Sequence, residues 1–187
     1  MAAFVGFIVQ SNGIHFPGNM NMEGLSYADI SAVASPAAQW DMIPTAAKLQ
    51  IFGAIAFLEL WGEGSLTLEA SGEKHYMRGG KPGFFPDFKS VALPHPVPFN
   101  LFDPFGFSKN ASPEKKAKGL VAEINNGRLA QIGIIAFMSE AAVPGSVPAL
   151  AGIIAPYDGE CMAPFSAVDA SLPFVTDMLK YTLPLTM

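Results

Sequence analysis

The chain has 187 residues, of which half are hydrophobic, and its mean hydropathy is +0.32. Charged residues make up 14%, against about 25% in soluble domains, which excludes a disordered chain and makes a water-soluble enzyme a poor fit. The net charge of −5 argues against a nucleic-acid partner, and the lone Cys161 excludes an intramolecular disulfide. The length predicts one domain, residues 1–187.

Three apolar segments have the length and flanking residues of helices: about residues 1–10, 45–61 and 113–142. Pro44 and Gly62 bound the second segment. Ser112 is a good N-cap for the third, Pro113 suits its first turn, and the Val-Pro-Gly sequence at 143–145 ends it. A helix of that length spans about 45 Å, more than the hydrocarbon core of about 30 Å.

The basic residues are concentrated in one loop. Residues 62–118 carry eight of the 11 lysines and arginines, whereas residues 11–47 carry none. The positive-inside rule places loop 62–118 on the side from which the protein is inserted, and the first loop and the tail on the other side. We therefore predict an all-α membrane protein with three transmembrane helices and long loops. The alternative is that these charged residues simply lie in solvated loops. It does not explain why the lysines and arginines are concentrated in one loop.

The third segment contains charged groups that are costly in an apolar helix and functional by default. At about 100° per residue, Glu123 and Asn126 lie about 60° apart on one face. Glu123 and Arg128 lie about 140° apart and cannot easily pair with each other. If a second helix with the same motif crossed this one around a two-fold axis, each glutamate could form an ion pair with the arginine of the other helix.

The first segment is a candidate for this second copy. Aligning residues 1–10 with residues 131–140 places Phe7 on Phe137 and matches the apolar character of both segments. The missing glutamate and arginine would then lie upstream of Met1. We expect the first helix to be truncated in this sequence, with roughly 10 to 30 further residues before Met1 in the mature protein.

The polar side chains of these helices suggest a pigment rather than a metal cage. Carboxylate and amide oxygens suit Mg²⁺, and a magnesium already held in a planar macrocycle such as chlorophyll needs only one axial ligand. The candidates are Glu123, Asn126, Glu140, Gln50, Glu59, Gln131 and Gln10. The alternatives remain open: buried polar groups satisfied by neighbouring helices, or a small transporter or channel with a polar path lined by Glu59, Glu123 and Arg128.

Residues 123–130 (Glu-Ile-Asn-Asn-Gly-Arg-Leu-Ala) resemble the third-helix signature of the light-harvesting chlorophyll-binding proteins. Residues 102–107 resemble the stretch that precedes that helix in the family. Residues 16–18 and 75–83 are similar to the chlorophyll a/c branch, the fucoxanthin and peridinin antenna proteins. Residues 143–150 and 162–165 are most similar to its dinoflagellate members.

This resemblance implies a non-enzymatic antenna subunit that spans the chloroplast thylakoid membrane three times. Its first and third helices would cross and be locked by two Glu–Arg pairs. It would bind chlorophyll a, chlorophyll c and carotenoids (peridinin or fucoxanthin, and diadinoxanthin) and pass excitation to a photosystem. Its partners would be the photosystem core, neighbouring antenna subunits and membrane lipid. Photoprotective quenching within the same family is the alternative.

The resemblance also implies roles for individual residues. Glu123 and Asn126 would be axial ligands to chlorophyll magnesium, and Arg128 would form an ion pair with the ligand glutamate of the first helix. The further pigment-binding candidates are Glu140, Gln50, Glu59, Gln131, Gln10 and the loop residue His75. Gln131 departs from the family pattern, which has methionine there.

Overall fold

The computed structural model describes residues 1–89, 91–92, 94–98, 101, 103–160 and 163–180. Within these residues the chain is mostly helical, with no strand and one isolated bridge between Asn19 and Ser26. The described α-helices are α1 (Ala2–Ser11), α2 (Tyr27–Ser31), α3 (Pro36–Asp41), α4 (Thr45–Glu63), α5 (Ser65–Ala70), α6 (Pro113–Ala142) and α7 (Val175–Lys180). Short 3₁₀ turns are found at Tyr76–Arg78, Pro148–Leu150 and Ala167–Asp169. Phe102, Cys161, Met162 and residues 181–187 lie outside the described residues.

The three long helices lie where the sequence predicts them. Helix α6 begins at Pro113, and the Ser112 hydroxyl accepts a hydrogen bond from the backbone N–H of Lys115 at 3.3 Å. Helix α1 ends at Ser11. The sequence predicts that the second helix ends at about residue 61, and α4 continues two residues further, through Gly62 to Glu63.

The short helices α2 and α3 lie in a segment predicted to be loop. A capping box begins α2: the Ser26 hydroxyl accepts from the Asp29 N–H, and the Asp29 carboxylate accepts from the Ser26 N–H. The hydrogen bonds from the Ser26 hydroxyl and backbone lower the pKa of Asp29. In the tail, the short helix α7 covers Val175–Lys180.

The chain divides into two compact units, and the first contains residues 1–45 and those from Leu120 onward. In this unit α1 lies beside α6, with Phe4 stacked on Phe137 at 5.2 Å between ring centroids. The two helices approach closely at Gly133, where an added Cβ would lie 2.5 Å from the Phe4 ring. Gly6 of α1 is also small enough for a close approach, but none is found there, because an added Cβ meets nothing within 4 Å.

The remainder of the first unit is tied together by side-chain hydrogen bonds from α3 and the residue that begins α4. The indole Nε1 of Trp40 donates to the carbonyl of Pro164 at 2.8 Å. The Tyr157 hydroxyl donates to the Asp41 carboxylate at 2.7 Å, and the Thr45 hydroxyl donates to Asp169 at 2.6 Å. These bonds join α3 to the segment that follows α6.

The second unit, residues 46–119, has a small aromatic core. Trp61, Phe88 and Val91 are buried, and the Trp61 and Phe88 rings stack at 4.7 Å between centroids. The Trp61 Nε1 donates to the Pro86 carbonyl at 3.1 Å. This core packs the loop after α5 against the end of α4.

Over the described residues, no helix meets both the length and the apolarity that a membrane span requires. The three-span architecture and the single domain therefore stay predictions.

Candidate pigment-binding site

Most of the predicted ligands have side chains that are open to a pigment. They are exposed, and within the described part of the chain they make no side-chain hydrogen bond or ion pair: Gln10, Gln50, Glu59, Glu123, Asn126 and Gln131. An axial ligand must present an oxygen lone pair to the face of a macrocycle. In these six side chains no described residue occupies the oxygen lone pairs.

Glu123 and Asn126 lie less than one helical turn apart on α6, with backbone positions separated by about 4.5 Å along the axis. Both are exposed, as is Arg128. Among the described residues, Glu123 forms no ion pair with Arg128 or with a lysine, in agreement with their different directions on the helix. This face of α6 therefore offers one carboxylate and one amide, and Arg128 adds a cation on another side of the helix.

Glu140 differs from most of the other predicted ligands because its carboxylate already accepts hydrogen bonds within the protein. The residue is 3% exposed, and its two carboxylate oxygens accept hydrogen bonds from the backbone N–H groups of Gly145 and Val147, each at 2.8 Å. Gly145 has a φ of +85°, which favours glycine at this turn. Glu140 thus anchors the loop that follows α6. A role as pigment ligand would compete with these bonds and stays a prediction.

The imidazole ring of His75 also has partners within the protein. Its Nδ1 accepts a hydrogen bond from the Met77 N–H at 3.1 Å, which caps the 3₁₀ turn at Tyr76–Arg78. Its Nε2 contacts the carboxylate of Glu63. Since both ring nitrogens have partners, His75 has a structural role in this fold, and binding magnesium would require one of these contacts to break.

A cavity of about 550 Å³ lies between α1, α3 and the segment that follows α6. Gly6 and Gln10 line it from α1, Trp40 from α3, Met138 from α6, and Tyr157 from the following segment. The absence of a side chain at Gly6 keeps this space open. The sequence analysis identified Gln10 but missed Trp40 and Tyr157, whose placement depends on hydrogen bonds to residues more than 100 positions away.

A second cavity, of about 470 Å³, adjoins the C-terminal end of α1. Gln10 lines this cavity as well, together with His15, Tyr27 and Gln39 among mostly apolar neighbours. The exposed Gln10 amide therefore borders both of these cavities, and their mostly apolar walls suit the apolar parts of a ligand.

Comparison with known proteins identifies the family. The family model for chlorophyll A-B binding protein matches residues 1–142, which include α1, α4 and the whole of α6. The chain belongs to the chlorophyll a-b binding protein family. Glu123, Asn126 and Arg128 lie inside the matched region of this family, whereas Tyr157 lies beyond it.

Relatives of this family member include fucoxanthin–chlorophyll a-c binding proteins whose names describe them as chloroplastic. The protein of Trieres chinensis is 33% identical over 78% of this chain and 61% of its own length. Protein F of Phaeodactylum tricornutum is 34% identical over 74% of this chain and 56% of its own length. Protein A of Macrocystis pyrifera is 34% identical over 74% and 52%. The chain thus spans a little over half the length of these relatives. The likeness to dinoflagellate members stays a prediction.

Proposed function

We propose that this chain is a light-harvesting antenna subunit that binds chlorophyll a, chlorophyll c and a carotenoid and transfers excitation energy to a photosystem. The observation that supports it is the family match over residues 1–142, together with relatives named for fucoxanthin and chlorophyll a-c binding. In this role the chain is not an enzyme. It lies in the chloroplast thylakoid membrane and spans it three times. Photosystem cores, neighbouring antenna subunits and lipid are the proposed partners.

Glu123 and Asn126 are the proposed axial ligands to chlorophyll magnesium. Both present hard oxygen donors that are exposed and have no partner among the described residues, so the chemistry of this helix face fits the pigment. Chlorophyll, when bound, supplies light absorption, and the protein fixes its position and tunes its surroundings. Arg128 supplies a positive charge on the same helix for pairing with a carboxylate.

Carotenoids are the proposed occupants of apolar space in the first unit. The two cavities beside Gln10 are lined mainly by apolar and aromatic side chains, which suits polyenes and their end rings. Peridinin, fucoxanthin and diadinoxanthin remain the candidate carotenoids. Gln10, Gln50, Glu59 and Gln131 are proposed as further ligands because their oxygens are exposed.

Pigment analysis tests this function. The protein is purified or refolded with pigments, the pigments are extracted, and chromatography identifies and counts them. We expect chlorophyll a, chlorophyll c and a carotenoid at fixed ratios to protein. A folded but colourless protein would contradict the antenna function and favour the transporter alternative.

A matched pair of variants on α6 tests the ligand assignment. Asn126→Leu removes the proposed oxygen ligand and should lower the chlorophyll content by one molecule per protein. Asn125→Leu makes the same change at an adjacent exposed position that is rotated by about 100°. It should keep the full chlorophyll content. Equal chlorophyll loss in the two variants would contradict the assignment to Asn126, and circular dichroism checks that both remain helical.

A further inference from the structure

Two aromatic rings are exposed on the turn that precedes α6. The side chains of Phe105 and Phe107 are 81% and 82% exposed, and their ring centroids lie 5.8 Å apart. A single exposed apolar side chain is ordinary, but two adjacent rings make one continuous apolar tip. Such a tip marks a surface that contacts another apolar body.

Hydrogen bonds hold the turn that carries the two rings. The N–H of Gly106 donates to the Asp103 carbonyl at 3.0 Å, and the N–H of Ser108 donates to the Asp103 carboxylate at 2.7 Å. The N–H of Lys109 donates to the Gly106 carbonyl at 3.2 Å. Gly106 has a φ of +73°, a backbone conformation that favours glycine. The exposed position of the rings is therefore built into the turn.

Lysines lie next to this tip. An added Cβ at Gly106 would lie 3.9 Å from the side chain of Lys109, so this lysine lies alongside the turn. The Nζ of Lys116 donates to the Lys109 carbonyl at 3.5 Å, which brings the first turns of α6 to the same place. Four lysines of this region are exposed and, among the described residues, form no ion pair: Lys109, Lys115, Lys116 and Lys118.

The lysines at the start of α6 do not stabilise the helix. The helix dipole places partial positive charge at the N-terminus, where it favours anions and disfavours cations. Glu114 meets this preference, whereas Lys115 and Lys116 directly follow it and oppose it. Residues 104–118 carry four lysines and one glutamate, a net charge of +3. This cluster is suited to a negatively charged partner outside the protein.

We propose that the aromatic tip and its lysines form a lipid anchor that binds the surface of an anionic bilayer. The rings enter the headgroup region, and the lysines contact negatively charged headgroups. The lipid anchor consists of Phe105, Phe107, Lys109, Lys115, Lys116 and Lys118. The inference rests on the membrane location in the proposed function and adds the charge class of the lipid. A protein partner would need a pocket for two rings with an acidic rim, whereas a bilayer interface accepts aromatic rings without a preformed pocket.

Spin-label EPR spectroscopy of the full chain tests the insertion of the tip. Cys161 is the lone cysteine, so a nitroxide can be attached at Phe107→Cys in a Cys161→Ser background. The protein is refolded with pigments and reconstituted in bilayers of phosphatidylcholine alone or of an equal mixture with phosphatidylglycerol. In the mixed bilayer we expect the label to be immobilised, accessible to oxygen and protected from a water-soluble nickel complex. In the neutral bilayer the label should be mobile and accessible to the nickel complex.

A label at Met22→Cys in the same background is the matched control for exposure. The Met22 side chain is fully exposed, and residues 11–47 carry no lysine or arginine. Because no basic residue of this segment attracts an anionic surface, its label should show the same accessibility in both bilayers.

Two pairs of substitutions test the lysines. Lys109→Gln with Lys116→Gln should lower the ratio of immobilised to mobile label at position 107 by about 25-fold in the mixed bilayer, at about 5-fold per lysine. Lys74→Gln with Lys81→Gln removes the same charge from exposed residues of the same unit that are not part of the lipid anchor. This second pair should leave the ratio unchanged. All four positions are exposed, and circular dichroism checks that both double variants remain helical.

The outcomes separate this inference from the proposed function. A label at position 107 that is open to water in both bilayers would overturn the lipid anchor. Equal protection in both bilayers would also overturn it, as expected if a pigment or a protein partner covers the tip. Equal effects of the two lysine pairs would refute the contact with anionic headgroups. A protein that inserts the tip but binds no pigment would overturn the antenna function and leave the lipid anchor supported.

Discussion

The contact between α1 and α6 predicts different effects for alanine at two glycines of α6. A methyl group at Gly133 would lie 2.5 Å from a ring carbon of Phe4, and that ring is held by stacking on Phe137. Forcing a carbon into a packed contact costs about 1–3 kcal/mol, and replacing a helical glycine by alanine gains about 1 kcal/mol. At Gly119 nothing lies within 4 Å, so only the gain remains. Gly133→Ala should therefore be about 1–3 kcal/mol less stable than Gly119→Ala.

Thermal unfolding of the pigment-loaded protein in detergent, followed by circular dichroism, measures this difference. For a chain of this length each 1 kcal/mol shifts Tm by about 2–4 °C, so Gly133→Ala should melt about 2–12 °C below Gly119→Ala. In a Phe4→Ala background the difference should disappear, because the ring that meets the new methyl is gone. The contact is refuted if the two variants melt together, or if their difference survives the removal of Phe4.

Three further predictions concern the cavity, the loop anchor and the orientation. Gly6→Leu should occupy part of the 550 Å³ cavity and lower the pigment-to-protein ratio measured by extraction, while Ala2→Leu on the same helix, which lines neither cavity, should leave the ratio unchanged. Glu140→Gln places an NH₂ group against a backbone N–H and should cost about 1–3 kcal/mol in thermal unfolding; unchanged stability would contradict the anchoring role. Trypsin added to intact thylakoids should cleave within residues 74–89, because the basic loop faces the stroma in the proposed orientation, and cleavage confined to the C-terminal tail would reject that orientation.

The long helices were predictable because their boundaries depend on local residues. A serine N-cap and a proline in the first turn define the start of α6, and Pro144 with Gly145 ends it. The short helix α3 depends instead on distant partners. Its Gln39 amide donates to a carbonyl of α1, and its Trp40 indole donates to Pro164, 124 residues away. Contacts at such separation leave no periodic pattern in the sequence, and for this reason the helix and its cavities were missed.

The internal repeat proposed from the sequence is consistent with one contact between α1 and α6. Two helices related by a two-fold axis bring equivalent residues together where the axis passes between them. The alignment of residues 1–10 with 131–140 makes Phe7 equivalent to Phe137, and their ring centroids lie 5.1 Å apart. One pair of aligned residues is therefore in contact, although Phe4, which the alignment does not pair with Phe137, stacks on the same ring.

The same alignment makes Gln10 equivalent to Glu140, and here the two halves differ. The chain after α6 turns back at Gly145, so the Glu140 carboxylate accepts two backbone hydrogen bonds from that loop. The chain after α1 is held by Asn12, whose side-chain amide donates to the Ile8 carbonyl, and the Gln10 side chain is left exposed beside the two cavities. The proposed equivalence of α1 and α6 therefore does not include the loops that follow them. A ligand role near a helix end cannot be transferred from one half to the other by position alone, because the connecting loop decides whether the oxygen is free to bind.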